Sequence, residues 1–115
     1  MKNLSTRLNA YHIMWLFVFF DLPTNTKKER KAASGFRKKL LKSGFSMMQY
    51  SVYTRHCASK QSAEVHATRI KGFLPNKGKV SILMVTDKQF SLIKNYWGTA
   101  PKKAEQKPFQ QLQLF

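Results

Sequence analysis

Acidic residues are scarce in this chain of 115 residues, in which five Asp and Glu stand against 21 Lys and Arg, a formal net charge of +16. Such an excess of one sign opposes compaction through self-repulsion, so it is typical of proteins that bind a polyanion. Nucleic acid is the leading partner, because each phosphate neutralised by Lys or Arg releases counterions. An anionic membrane surface is the main competing partner, and a merely soluble basic domain is the remaining alternative.

Cysteine and long apolar runs are also scarce. The single cysteine, Cys57, excludes an internal disulfide and suits a reducing cytoplasm, where we expect the protein. The apolar run 13–20 ends in Asp-Leu-Pro without a small-residue cleavage site. It is also shorter than the about 20 residues that span a bilayer. We therefore expect a buried strand and no membrane partner.

Some common functional motifs are missing. The chain has no Gly-rich phosphate loop and no Cys/His spacing that fits zinc. Its three histidines are scattered, which favours packed or surface imidazoles over metal ligands.

The remaining pattern alternates strands and helices. Strands are predicted at 12–20, 45–49, 50–57 and in KVSILMVT. A first helix begins after Thr26, which with Glu29 forms a capping box, and it ends at Ser43-Gly44. Ser59 caps a second helix. The order βαββαβ predicts an α+β fold, a ferredoxin-like sandwich with helices on one face of an antiparallel sheet.

The two ends of the chain are predicted separately. We expect a flexible N-terminal arm at 1–11, the ferredoxin-like domain at 12–97, and a tail at 98–115. The runs FSLIKNYW and QLQLF are predicted to be additional C-terminal strands that extend a sheet edge or bind a partner.

The first predicted helix has a cationic face. The face carries a stripe of four lysines with two arginines alongside, namely Lys27, Lys31, Lys38 and Lys42 with Arg30 and Arg37. Because Glu29 is the only acid among them, the stripe favours phosphate binding over a merely solvated surface.

Asp21 is the one acid placed at the end of a central strand, where a rigid sheet can present a functional group. A Mg²⁺ site for phosphodiester cleavage normally needs more than one carboxylate. A two-fold dimer would supply a second copy of Asp21 across its interface. Alternatively, Asp21 caps the loop or the following helix, and spacing alone leaves both interpretations open.

Two tyrosines after the first helix also allow two interpretations. Tyr50 and Tyr53 could stack on bases, as in an RNA-recognition motif. SVYTRHC lacks the Gly/aromatic signature of that module. We expect core or dimer packing for both tyrosines.

Three segments resemble one family. FFDLPTNTKKERK, FRKKLLKSGFSMMQYSVYTR and KGKVSILMVTDKQF are similar to the Cas2 family of CRISPR adaptation proteins, in the form found in type II-like systems with a single large effector nuclease. The similarity covers roughly 13–97, and FFDLP and QYSVY are its most specific parts. The N-terminal arm and the tail depart from the family pattern.

The resemblance implies a homodimer whose C-terminal strands add to the neighbouring sheet. It implies a complex with the CRISPR integrase, in which the dimer holds the middle of a double-stranded protospacer DNA. It also implies a Mg²⁺-dependent endonuclease acting on RNA or DNA, with Asp21 as catalytic metal ligand. The implied DNA contacts are Lys27, Lys28, Arg30 and Lys31.

Two classes of function follow from these observations. The first is an architectural subunit that clamps duplex DNA during spacer acquisition. The second is an endonuclease at Asp21, of which a free-standing endoribonuclease or toxin-like RNA-binding protein of the same fold is a variant.

Overall fold

The chain folds around a four-stranded antiparallel sheet with strand order β2-β3-β1-β4. The computed structural model describes residues 13–98. The elements in chain order are β1 (Met14–Asp21), α1 (Lys27–Lys42), β2 (Ser46–Gln49), β3 (Val52–Cys57), α2 (Lys60–Lys71), β4 (Lys79–Thr86) and α3 (Asp87–Ser91). This arrangement confirms the α+β, ferredoxin-like prediction. The predicted arm at 1–11 and the QLQLF strand lie outside the described residues.

Strand β1 lies at the centre of the sheet, with β3 on one side and β4 on the other. Its side chains alternate between two faces. Leu16, Val18 and Phe20 point towards the helices and belong to the buried core. The opposite face of the sheet, here called the open face, carries Trp15, Phe17, Phe19 and Asp21.

The core between sheet and helices is built from apolar stripes at helical spacing. Ala33, Phe36 and Leu40 of α1 and Ala63 and Ile70 of α2 are buried. The Phe36 ring meets that of Phe20 edge to face, with a centroid separation of 5.2 Å. In the described part of the chain, no helix is long and apolar enough to cross a membrane.

Side-chain caps define where both long helices begin. The Thr26 hydroxyl accepts from the Glu29 N–H at 3.1 Å, and the Glu29 carboxylate accepts in return from the Thr26 N–H at 3.1 Å. Ser59 caps α2 by accepting from the Ser62 N–H. Both predicted helix starts are confirmed, because each cap satisfies N–H groups that the first turn leaves unpaired.

The run FSLIKNYW forms no strand within the chain, so the prediction is wrong for its first residues, and pairing of the rest with a partner's sheet stays a prediction. Thr86 and Gln89 form a second capping box, so the chain turns into the short helix α3 instead. Phe90 then stacks on Trp15 with centroids 3.7 Å apart, and the Trp15 Nε1–H donates to Asp87 Oδ1 at 2.7 Å. The helix covers one end of the open face, and residues 92–98 have no regular structure.

Two glycines provide a matched test of the backbone. Gly78 has φ +96°, and a Cβ there would lie 2.7 Å from the Asp21 carbonyl oxygen, whereas a Cβ on Gly35 in α1 would meet nothing within 4 Å. We expect Gly78→Ala to lower the free energy of unfolding by about 2 kcal/mol. We expect Gly35→Ala to raise it by about 0.5 kcal/mol, because alanine is the better helix former. Urea unfolding midpoints measure both, and equal effects would contradict the role assigned to Gly78.

Candidate nucleic-acid interface and metal ligand

The C-terminal end of β1 and three connections of the chain meet at one end of the sheet. Strand β1 ends there at Asp21, and the loop that follows leads into the first turn of α1. The β2–β3 turn joins the same end, where the Phe20 N–H donates to the Ser51 carbonyl at 3.1 Å. The α2–β4 loop completes it, because Lys79 is the register partner of Asp21.

The Asp21 carboxylate is exposed on the open face. It accepts no hydrogen bond from any group within residues 13–98, and the cap of α1 is Thr26. The alternative that Asp21 caps the following helix is therefore wrong. What remains is an oxygen ligand of the type that Mg²⁺ prefers, presented by a rigid strand.

A complete metal site is not found in the described part of one chain. No group of three or more His, Cys, Asp or Glu lies close enough together there to hold a metal ion. The donor type fits Mg²⁺, but the number of donors does not, so additional ligands would have to come from a second copy, substrate or water.

Lys79 lies directly across the β1–β4 ladder from Asp21. Directly opposed residues in an antiparallel pair have Cβ atoms about 5 Å apart. The positive φ of Gly78 permits the tight approach of this loop to Asp21 and Leu22. The register thus places a lysine beside the candidate metal ligand, where its charge can attract a phosphate.

Four of the predicted nucleic-acid contacts lie on the surface of α1 without an acidic partner among the described residues. They are Lys27, Lys28, Lys31 and Lys38. Their ammonium groups are available to phosphates, which Lys binds as a point charge.

The two predicted arginines also make contacts within the chain. Arg30 Nη1 donates to the carbonyls of Thr24 at 3.1 Å and Asn25 at 3.3 Å, so it braces the loop before α1. The Arg37 guanidinium lies 4.3 Å from the Tyr50 ring centroid and 5.5 Å from that of Phe20. Arg37 is half-buried, whereas the lysines project freely.

The two tyrosines have different environments. Tyr53 is only 3% exposed and packs 5.5 Å from Phe20 in the core, as predicted. Tyr50 is 70% exposed, with Arg37 stacked on its ring. Core packing is therefore wrong for Tyr50, whereas packing in a dimer stays a prediction.

Glu29 is the acid nearest the basic residues of α1. The hydrogen bond from the Thr26 backbone is the largest cause that lowers the pKa of Glu29, and Asn25 and Lys77 act in the same direction, while burial opposes them. The Lys77 Nζ lies 3.8 Å from its carboxylate. Glu29 therefore caps the helix and pairs with Lys77. It does not neutralise the positive charges of the lysines on α1.

Taken together, the fold and this end of the sheet define a basic α+β protein that presents exposed lysines and one strand-ending carboxylate. A family model described as CRISPR associated protein Cas2 matches residues 14–93. The chain belongs to the Cas2 family.

Three relatives named CRISPR-associated endoribonuclease Cas2 align over nearly the whole chain. The protein from Flavobacterium psychrophilum is 56% identical over 110 residues, covering 96% of this chain and 95% of its own. That from Parvibaculum lavamentivorans is 54% identical, covering 89% and 100%. That from Paracidovorax avenae is 44% identical, covering 90% and 95%.

A solved structure supports the fold. A Cas2 crystal structure superposes with a TM-score of 0.51 at 22% identity, covering 77% of this chain and 93% of that one. At this identity the similarity concerns the fold alone.

Sequence reasoning missed Lys79. The available signal was its position in KGKV, at the start of a predicted strand. That signal does not tell which strand lies opposite, and only the antiparallel β1–β4 register places Lys79 beside Asp21.

Proposed function

We propose that this chain is a CRISPR adaptation subunit that works as a basic homodimer, binds double-stranded protospacer DNA and bridges integrase subunits. The observation that carries the proposal is the set of exposed lysines on α1 that have no acidic partner among the described residues. The helix begins next to the sheet end that carries Asp21. A phosphate backbone supplies the negative charge that the chain itself lacks. Lys27, Lys28, Lys31 and Lys38 contact phosphates directly, and Arg30 and Arg37 shape the loop and turn beside them.

The open face supports a homodimer. Phe19 and Leu83 are 38% and 49% exposed there, although both lie on strands in a sheet that has helices on its other face. An apolar sheet face without a covering layer favours burial against a self-complementary copy. Asp21 shares this face with Phe19, so such a dimer brings the two Asp21 carboxylates towards its axis.

A phosphodiesterase at the dimer axis is the second activity we propose. The names of the relatives favour an endoribonuclease, and duplex DNA is an equally negative substrate. Two Asp21 carboxylates would hold Mg²⁺, which when bound supplies positive charge to the scissile phosphate. Lys79, opposite each Asp21, would orient the phosphate. A free-standing endoribonuclease that acts without an integrase is the alternative.

DNA binding by α1 is tested by removing two lysines. We expect Lys27→Ala with Lys31→Ala to weaken duplex affinity and to reduce the salt slope by about 0.9 for each phosphate that is no longer neutralised. The control Lys60→Ala with Lys88→Ala removes the same charge at the opposite end of the sheet and should change the slope less. Fluorescence anisotropy over a salt series measures both. Equal effects of the two double variants would reject α1 as the specific interface.

The nuclease activity is tested by Asp21→Asn, which removes the charge and nearly keeps the shape. We expect Mg²⁺-dependent cleavage of RNA or DNA to be abolished, while duplex affinity and spacer acquisition remain. Glu64→Gln, which neutralises another exposed acid, should leave cleavage unchanged. If the Asp21→Asn protein cleaves as fast as the parent, the activity belongs to another site or to a contaminant.

The dimer is tested on the open face. We expect Leu83→Lys to shift the protein towards monomers, because two lysines would face an apolar surface across the axis. Val65→Lys is the control, since Val65 is equally exposed, at 51%, but lies on α2. Sedimentation velocity measures both variants. A Leu83→Lys dimer as stable as the parent would place the interface elsewhere.

A further inference from the structure

A second basic cluster lies on the helix side of the sheet, between the end of α1 and helix α2, away from Asp21. It consists of Arg55, His66 and Arg69 and is called here the interhelical cluster. Arg55 pairs in register with Leu16, whose side chain is fully buried on the helix side, so Arg55 also projects between sheet and helices. Its guanidinium lies against Gly44, where any Cβ would collide with Nη1.

Helix α2 supplies two members of the cluster. His66 and Arg69 are three residues apart and therefore share a flank of the helix. Burial is the largest cause that lowers the pKa of His66, and the charges of Arg55 and Arg69 lower it further.

Two nitrogens of the cluster lack a partner. Arg55 Nε and His66 Nδ1 are both buried, and neither makes a hydrogen bond within the described part of the chain. Buried polar groups in folded proteins are normally satisfied by protein, water or ligand. Water molecules could satisfy these nitrogens, but they would leave the positive charges uncompensated.

No acid within residues 13–98 balances these charges. Asp21 is at the sheet end, Glu29 caps α1, and Asp87 accepts from Trp15. Glu64 is two residues before His66 and is therefore on another side of α2. The C-terminal dipole of α1 favours the Arg55 charge near Gly44, but it does not account for Arg69 and His66.

We propose that the interhelical cluster is a binding site for a phosphate-type oxyanion. Arg55 Nε–H and a proton on His66 Nδ1 would donate to the anion, and Arg69 would add charge. Bound anion would favour the protonated imidazole, so anion binding and His66 protonation are coupled. The anion is either free phosphate or a backbone phosphate of nucleic acid. The site stands independently of the function proposed for Asp21 and α1.

The test uses the full-length chain and inorganic phosphate. We expect saturable binding by calorimetry that chloride at matched ionic strength does not reproduce. We also expect the pKa of His66, followed by NMR of its ring protons, to rise by about 1 when phosphate is present. An unchanged pKa, or binding no stronger than that of chloride, would overturn the proposal.

Variants separate a binding role from a structural one. Arg69→Met and His66→Gln should each weaken phosphate binding by about tenfold, because the first removes a neighbouring positive charge and the second a charge-assisted hydrogen bond. Lys60→Met removes an exposed charge from the first turn of the same helix and should bind phosphate like the parent. Since Arg69 is exposed, its variant should fold even if Arg55→Met does not. Parent-like affinity in both Arg69→Met and His66→Gln would refute the site.

A short DNA duplex identifies the source of the anion. If the duplex raises the pKa of His66 and displaces phosphate, the site takes a backbone phosphate. If only free phosphate raises it, the site takes a free anion. The Lys27→Ala, Lys31→Ala variant should retain the phosphate effect in either case, so failure of the DNA-binding proposal and failure of this one are distinguishable.

Discussion

The hydrogen bonding of β1 on both edges is the constraint on which the rest of the structure depends. Its register with β3 and β4 decides which of its side chains enter the core and which lie on the open face. A slip by one residue would exchange the two sets, burying Asp21 and exposing Phe20. The apolar contacts of Phe20 with Phe36 and Tyr53 oppose such a slip, and they thereby hold the Asp21 carboxylate outside the core.

The scarcity of acids has a structural consequence. Two of the acids are engaged within the fold: Glu29 caps α1, and Asp87 accepts from Trp15. The remaining positive charge cannot be neutralised within the described part of the chain. Much of it lies on the outer surface of α1, part of it lies in the interhelical cluster, and both locations favour phosphate. Self-repulsion of this kind is relieved when a polyanion binds.

Much of the fold was predictable because its signals are local. Thr26 with Glu29, and Ser59, bond to N–H groups within three residues, so capping requires no knowledge of distant contacts. The same rule applied at Thr86, yet the run after it was predicted to be a strand. The apolar alternation of that run favours a strand, whereas the stacking of Phe90 on Trp15, which is distant in sequence, favours a helix.

The sequence by itself determined the net charge, the strand that ends at Asp21, the basic residues of α1 and the family resemblance. Only the tertiary structure decided which of those basic residues are free: the lysines project, whereas Arg30 and Arg37 bond to a loop and stack on Tyr50. It also placed Lys79 opposite Asp21, and Arg55 beside His66. The physical reason is that strand pairing and helix packing bring together residues whose separation along the chain carries no signal of contact.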